Sequence, residues 1–212
     1  MRREQVADKW GSRAAGGTYA TSRFGSGRAR DRDGRLLTAL AHRIGAPLPW
    51  GRVLDVPCGT GRLQSVLAAL ASEQLAIDVS GGMLAQSGQP WRLQASAFRL
   101  PLIDASFDAV ICCRLMHHLH EDTDRLGLLR ELLRVTRGPV LLSFWDAGSW
   151  HAWRRRHGLR KVRNEDGRQA MPRRHLAELV EQAGGRVLAW RHSMRGISQQ
   201  TWVAIEARGA RP

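Results

Sequence analysis

Val53-Leu54-Asp55-Val56-Pro57-Cys58-Gly59-Thr60-Gly61-Arg62-Leu63 decides the fold of this chain. An apolar run ends in a carboxylate, passes through small residues and opens into a segment whose Leu63, Val66, Leu67 and Leu70 share one helical face. The unit is strand, loop, helix. A glycine-rich turn of this kind ordinarily receives phosphate, because free N–H groups and the helix dipole attract anions. Asp55 opposes that use, since a carboxylate at the strand end repels a pyrophosphate. The third glycine of the dinucleotide fingerprint is also missing, with Gln64 in its place. A ligand with a cationic group near Asp55 fits better.

Outward from this unit, short apolar runs alternate with helical stretches. Residues 53–56, 75–79, 91–95, 107–113 and 139–145 read as strands, with helices over 62–71, 82–86 and 124–135. The continuous apolar run 107–113 suits a strand buried on both faces of a parallel sheet. A helix over 173–183 and strands over 186–191 and 200–207 follow, the last two close enough to pair antiparallel. The fold class is therefore α/β: a Rossmann-like, seven-stranded, mostly parallel sheet with helices on both faces and an antiparallel C-terminal strand.

Residues 1–35, rich in Gly, Ser, Arg and Asp, lack an apolar period and read as a mobile N-terminal arm. The domain proper is expected over 36–212, opening with a helix over 36–44 that Gly45-Ala46-Pro47 ends. Residues 146–171 are basic, contain tryptophan and are too long for a plain connection, so a lid or acceptor loop is expected there.

At 212 residues and 43% hydrophobic content the chain suits one well-buried domain. No apolar run approaches the ~20 residues that cross a bilayer. No apolar segment follows Met1-Arg2-Arg3-Glu4 either, so a cytoplasmic location is the expectation. Cys58, Cys112 and Cys113 have no paired spacing for zinc, and no metal is implied. The net charge of +14 points either to a polyanionic partner or to a GC-rich coding sequence, because nearly every basic residue is Arg. No feature sets an oligomeric state.

Three motifs at characteristic spacing carry a family resemblance: 53–61, Ile77-Asp78-Val79-Ser80 with Met83-Leu84, and Leu100-Pro101-Leu102 leading to Ser106-Phe107-Asp108-Ala109-Val110. Over about 51–207 the chain resembles a class I S-adenosylmethionine (SAM)-dependent methyltransferase. The resemblance is to the small-molecule type, which includes the ubiquinone and menaquinone methyltransferases. SAM, with an ammonium and a sulfonium, is a ligand of the kind Asp55 suits. The resemblance implies that Asp55 faces the amino group, with Gly59 and Gly61 letting the backbone approach the methionine end. It places Asp78 on the ribose hydroxyls, Met83 against adenine and Ser96 and Ala97 at the adenine edge. Cys58, Thr60, Val79 and Cys113 complete the implied cofactor set. Pro57, where the family has its first glycine, and Ser96, where Asp is common, depart from the pattern.

On the acceptor side, Cys113 and Arg114 close the fourth strand, and His117 and His118 follow. Either histidine is a candidate general base for a hydroxyl, phenol or enol, against a reading in which the two merely begin a helix and one of them packs. Tyr19 and Arg23 of the arm are candidates to close over the cofactor, with Arg23 on its carboxylate. Trp145, Trp150 and His151 are candidates for the lid or acceptor wall. The expected partner is thus a small-molecule methyl acceptor. The basic run Arg154-Arg155-Arg156 and its neighbours could instead meet nucleic-acid phosphates or an anionic lipid surface. RNA methylation is the less favoured alternative, since Arg114-Leu115-Met116-His117 stands where an Asn-Pro-Pro-Tyr-like motif would. A non-catalytic SAM-binding protein is the third.

Overall fold

The computed structural model describes residues 27–157, 168–192, 194 and 199–209. In chain order the elements are α1 (Gly27–Arg43), β1 (Trp50–Asp55), α2 (Gln64–Leu70), β2 (Ala71–Asp78), α3 (Gly81–Gln86) and β3 (Arg92–Gln94). There follow β4 (Ala109–Cys112), a 3₁₀ turn (Met116–His118), α4 (Asp122–Val135), β5 (Val140–Trp145) and α5 (Trp150–Arg156). The chain closes with α6 (Arg173–Gln182), β6 (Gly185–His192) and β7 (Gln200–Ala207).

The seven strands form one sheet in the order β3-β2-β1-β4-β5-β7-β6. β1 to β5 pair in parallel, and β7 enters antiparallel between β5 and β6. From β1 the chain winds outward through β2 and β3, then returns to build β4 on the other side. The switch point therefore lies between the C-terminal ends of β1 and β4, where open α/β sheets bind their ligands.

One core lies between the sheet and α4 and α6, around Leu128, Leu132, Leu176 and Val180. The other lies beneath α1 and α2, where Leu37, Leu40 and Leu67 meet Leu141, Trp202 and Ala204. Each helix presents its leucine stripe to the sheet, which is why the helical period was readable.

Two boundaries differ from expectation for physical reasons. The helix expected from Leu36 begins at Gly27, so the described residues 27–35 belong to it and not to a mobile arm. That segment is polar, and Asp33 turns inward regardless because arginines meet it there. β2 begins at Ala71, ahead of its apolar run, with Glu73 paired to Arg52 of β1 at the sheet margin. Polar residues at an exposed strand start hide it from a reading of apolar runs. Elsewhere the expected elements match to within a few residues, and β7 matches at both ends.

Candidate active site

β1 delivers Asp55 to the switch point, in register with Ala76 of β2 and Ile111 of β4. The chain then turns through Pro57 to Gly61 before α2. Gly59 and Gly61 have positive φ (58° and 74°), whereas Pro57 does not, so proline is tolerated at that position. The need at Gly61 is internal to the protein: a Cβ there would strike the carbonyl oxygen of Ser87 after α3. A Cβ at Gly59 would meet only the Met83 sulfur, at 3.7 Å.

Asp78, at the end of β2, organises the loop. Its Oδ2 accepts the Gly59 amide and its Oδ1 the Ser80 amide, both at 2.8 Å. Burial raises the Asp78 pKa, and these backbone donors oppose the rise. Ser80 then caps α3, accepting the Met83 amide at 3.2 Å, which fixes Met83 beside the glycine loop. Val79 is half-buried, and its carbonyl accepts from Gln94.

Asp55 is 1% exposed, and neither carboxylate oxygen has a hydrogen-bond partner within the described protein. Burial, reinforced by Asp78 and opposed by Arg62, lifts its pKa to about 8. A buried carboxylate of this kind is complementary to a cationic, hydrogen-bonding ligand group.

The remaining cofactor candidates divide. Cys58 is buried against Ala76 and Leu84, and burial pushes its thiol far up, so it serves as packing. Thr60 is half-buried in the loop. Ala97 faces the main core, while the Ser96 hydroxyl accepts the Phe98 amide at 3.3 Å. Cys113 is buried beyond β4, its thiol pushed up to about 12 chiefly by burial.

The acceptor candidates divide as well. His117 and His118 are buried in the 3₁₀ turn. The His117 ring stacks on Trp145 at 4.6 Å and 8°, and the Arg168 guanidinium lies 5.4 Å from the centroid of the Trp145 ring. Gln169 donates its amide to the His117 carbonyl at 2.8 Å, and Arg125 braces the turn through the Leu119 carbonyl and Gln169. Trp150 is apart from this group: it is 49% exposed and stacked on Trp153. His151 lies in the backbone of α5. Tyr19 and Arg23 lie outside the described residues.

Sequence reading missed the cluster of Asp33, Arg62 and Arg114. Asp33 Oδ2 forms an ion pair with Arg62 Nη2 at 3.1 Å and accepts from Arg114 Nε and Nη2 at 3.1 and 3.0 Å. No periodicity marks such a group; only Arg62 and Arg114, directly after the glycine loop and after β4, could have drawn attention.

Residues 54–142 match the model of the methyltransferase domain family. The similarity is to a methyltransferase domain, and it runs from β1 to β5. The protein YqeM of Bacillus subtilis (strain 168) is 36% identical over 110 residues, covering 48% of this chain and 44% of that protein. A demethylmenaquinone methyltransferase of Mycobacterium sp. (strain KMS) is 39% identical over 111 residues, covering 51% and 45%. The matches span less than half the length of either relative. Among solved structures, a magnesium protoporphyrin IX methyltransferase from Synechocystis PCC 6803 with bound S-adenosylhomocysteine (SAH) aligns over 97% of this chain and 100% of that one. Its TM-score is 0.68 at 17% identity. A SAM-dependent methyltransferase from Leishmania major aligns over 96% and 82%, with TM-score 0.74 and 16% identity. These structural likenesses concern the fold. Among the described residues, no helix is long and apolar enough to cross a membrane.

Proposed function

We propose that the protein transfers the methyl group of SAM to an oxygen, carbon or nitrogen of a small acceptor with apolar character. The observation that carries this reading is Asp55, a buried carboxylate without a protein partner, at the switch point of a methyltransferase sheet. The residues fit the cofactor. Asp55 would take its ammonium; Asp78, with lone pairs beyond those given to Gly59 and Ser80, would take the ribose hydroxyls. Met83 would lie against the adenine, with Ser96 and Val79 near its edge. Cofactor bound there supplies an electrophilic methyl on a sulfonium.

For such a transfer the chain's main task is to hold the acceptor in line, which positioning alone largely supplies. His117, buried beyond β4, and Trp145, half-buried at the end of β5, would form a stacked aromatic wall with no base role. The similarity to a demethylmenaquinone methyltransferase supports an apolar, ring-containing acceptor.

Calorimetry with SAM and SAH, with Asp55→Ala and Asp78→Ala as controls, tests the donor half. Micromolar binding by the wild type, lost in both variants, is the expected result; no binding at millimolar cofactor overturns the assignment of these residues. Labelled SAM offered with quinols, phenols and bulk RNA tests the acceptor half. Label entering RNA, with binding that falls steeply with salt, would favour the alternative that the +14 charge suggests. SAH binding with no transfer to any acceptor would favour a non-catalytic SAM-binding protein.

A further inference from the structure

Asp33 sits on α1, outside every motif that carries the methyltransferase resemblance, and is wholly buried. Its Oδ2 is shared by two guanidiniums from different parts of the site. Arg62, itself buried, follows the second loop glycine. Arg114 follows Cys113 beyond β4, two residues before the 3₁₀ turn that carries His117. One carboxylate thus joins the N-terminal helix, the donor loop and the acceptor-side loop.

Two independent features brace this arrangement. Arg114 adopts φ of 65°, a left-handed backbone that costs free energy for a residue with a side chain and persists where its surroundings over-determine it. Its amide is fixed by the Ser143 hydroxyl of β5 at 2.8 Å, so its backbone is held by β5 and its side chain by α1. Beside Asp33, Gly34 brings α1 so near α2 that a Cβ there would lie 2.6 Å from Val66 Cγ2. Val66 is branched at Cβ and yields little. Asp33, next to this close approach, lies within ion-pair distance of Arg62.

We propose that Asp33 is a positioning residue, clamping α1 across the glycine loop and the loop after β4 so that cofactor affinity depends on contacts made beyond β4. The proposal takes the glycine loop as the SAM site. Asp33 touches neither cofactor nor acceptor in this scheme; it acts through Arg62 and Arg114. Planar guanidiniums suit the role, since each presents donors in a fixed fork. The shared carboxylate makes the two contacts interdependent, as expected in a buried polar network.

The test is a double-mutant cycle of Asp33→Asn and Arg114→Gln, read by the dissociation constant of SAH in calorimetry well below each variant's unfolding midpoint. Arg114→Gln leaves the Asp33–Arg62 pair in place. It is expected to weaken SAH by about tenfold, a usual size for coupled neighbours. The double variant is expected to bind no more weakly than Asp33→Asn alone. Hydrogen exchange should show faster amides over 59–63 in both single variants, and Arg114→Lys should recover part of the loss. A bracing role confined to stability would lower the unfolding midpoint and leave the SAH constant unmoved. The proposal is overturned if Arg114→Gln binds SAH within about twofold of wild type, or if the two losses simply multiply. Where Asp33→Asn does not fold, Arg114→Gln decides alone. Absence of SAH binding by the wild type would sink the donor-site assignment instead, and the clamp with it.

Discussion

The amide of Gly59 donates to Oδ2 of Asp78 at 2.8 Å, so the end of β2 holds the left-handed glycine of the preceding loop in place. The same carboxylate takes the Ser80 amide through Oδ1. Asp78 therefore shapes the loop before any ligand arrives. Replacing it by Ala leaves two nearby amides without their acceptor, at about 1–3 kcal/mol each where water cannot substitute. Asp78→Ala should lower the midpoint of thermal unfolding and also abolish SAH binding. Asp78→Asn, which keeps an acceptor oxygen, should recover stability more than affinity. Calorimetric scans beside SAH titrations check this, and an unchanged midpoint in the Ala variant would contradict it.

Gly61 meets a different constraint. Its φ of 74° and the Ser87 carbonyl facing its Cα both exclude a side chain. Gly61→Ala should cost about 1–2 kcal/mol from the left-handed backbone alone, with the clash added. At about 2–4 °C per kcal/mol for a chain of this size, the midpoint should fall by several degrees. Gly59→Ala has a similar backbone cost but meets the Met83 sulfur at an ordinary van der Waals distance of 3.7 Å, so it should lose less stability. Equal losses in the two variants would show that the Ser87 contact contributes nothing.

What sequence made legible follows from what periodicity can record. Leu128, Leu132 and Leu37 mark helix faces because each repeats along a surface that must be buried. Asp55 and Asp78 were legible because a carboxylate ending an apolar strand is chemically out of place. Asp108 belongs to a motif of the family resemblance, yet it lies at the start of β4, where it accepts the Arg52 amide and pairs with Arg137. It braces the N-terminal end of the central strand β4, opposite the cleft. Asp33 was illegible for the opposite reason: its partners are 29 and 81 positions away (62 minus 33 and 114 minus 33), and only the folded chain brings them together. The split between Trp145, stacked on His117, and the exposed Trp150 likewise depends on how the chain turns after β5.

The His117–Trp145 stack separates packing from base catalysis. Phenylalanine preserves a flat ring at position 117 and cannot take a proton. If His117 is a wall, His117→Phe should fold, bind SAH within about threefold of wild type and retain transfer to whatever acceptor the labelled-SAM survey finds. Base catalysis, by contrast, contributes about 10²- to 10⁴-fold. A loss of that size in His117→Phe, with SAH affinity intact, would establish His117 as a base and refute the wall.

Asp55 makes cofactor binding sensitive to pH. Burial first, then the neighbouring Asp78, lift its pKa to about 8 in the ligand-free protein, with Arg62 opposing. Near neutral pH the group therefore holds its proton, and an incoming ammonium favours the ionised form. Binding at pH 7 should release up to one proton per site, and SAH affinity should rise with pH until about pH 8. Titrations in buffers of different ionisation enthalpy measure that release, which Asp55→Asn should abolish together with tight binding. Stability carries the same signature with its sign fixed by linkage. The unfolded chain ionises Asp55 near pH 4 and the folded one near 8, so between these values the native state binds the extra proton. Ligand-free stability should accordingly fall as pH rises through that window and level off above it. Asp55→Asn, which never has to bury a charge, should flatten the fall and raise the unfolding midpoint of the ligand-free protein at pH 8. A variant no more stable than wild type at that pH, with no change in proton release, would show that Asp55 is already ionised in the empty site.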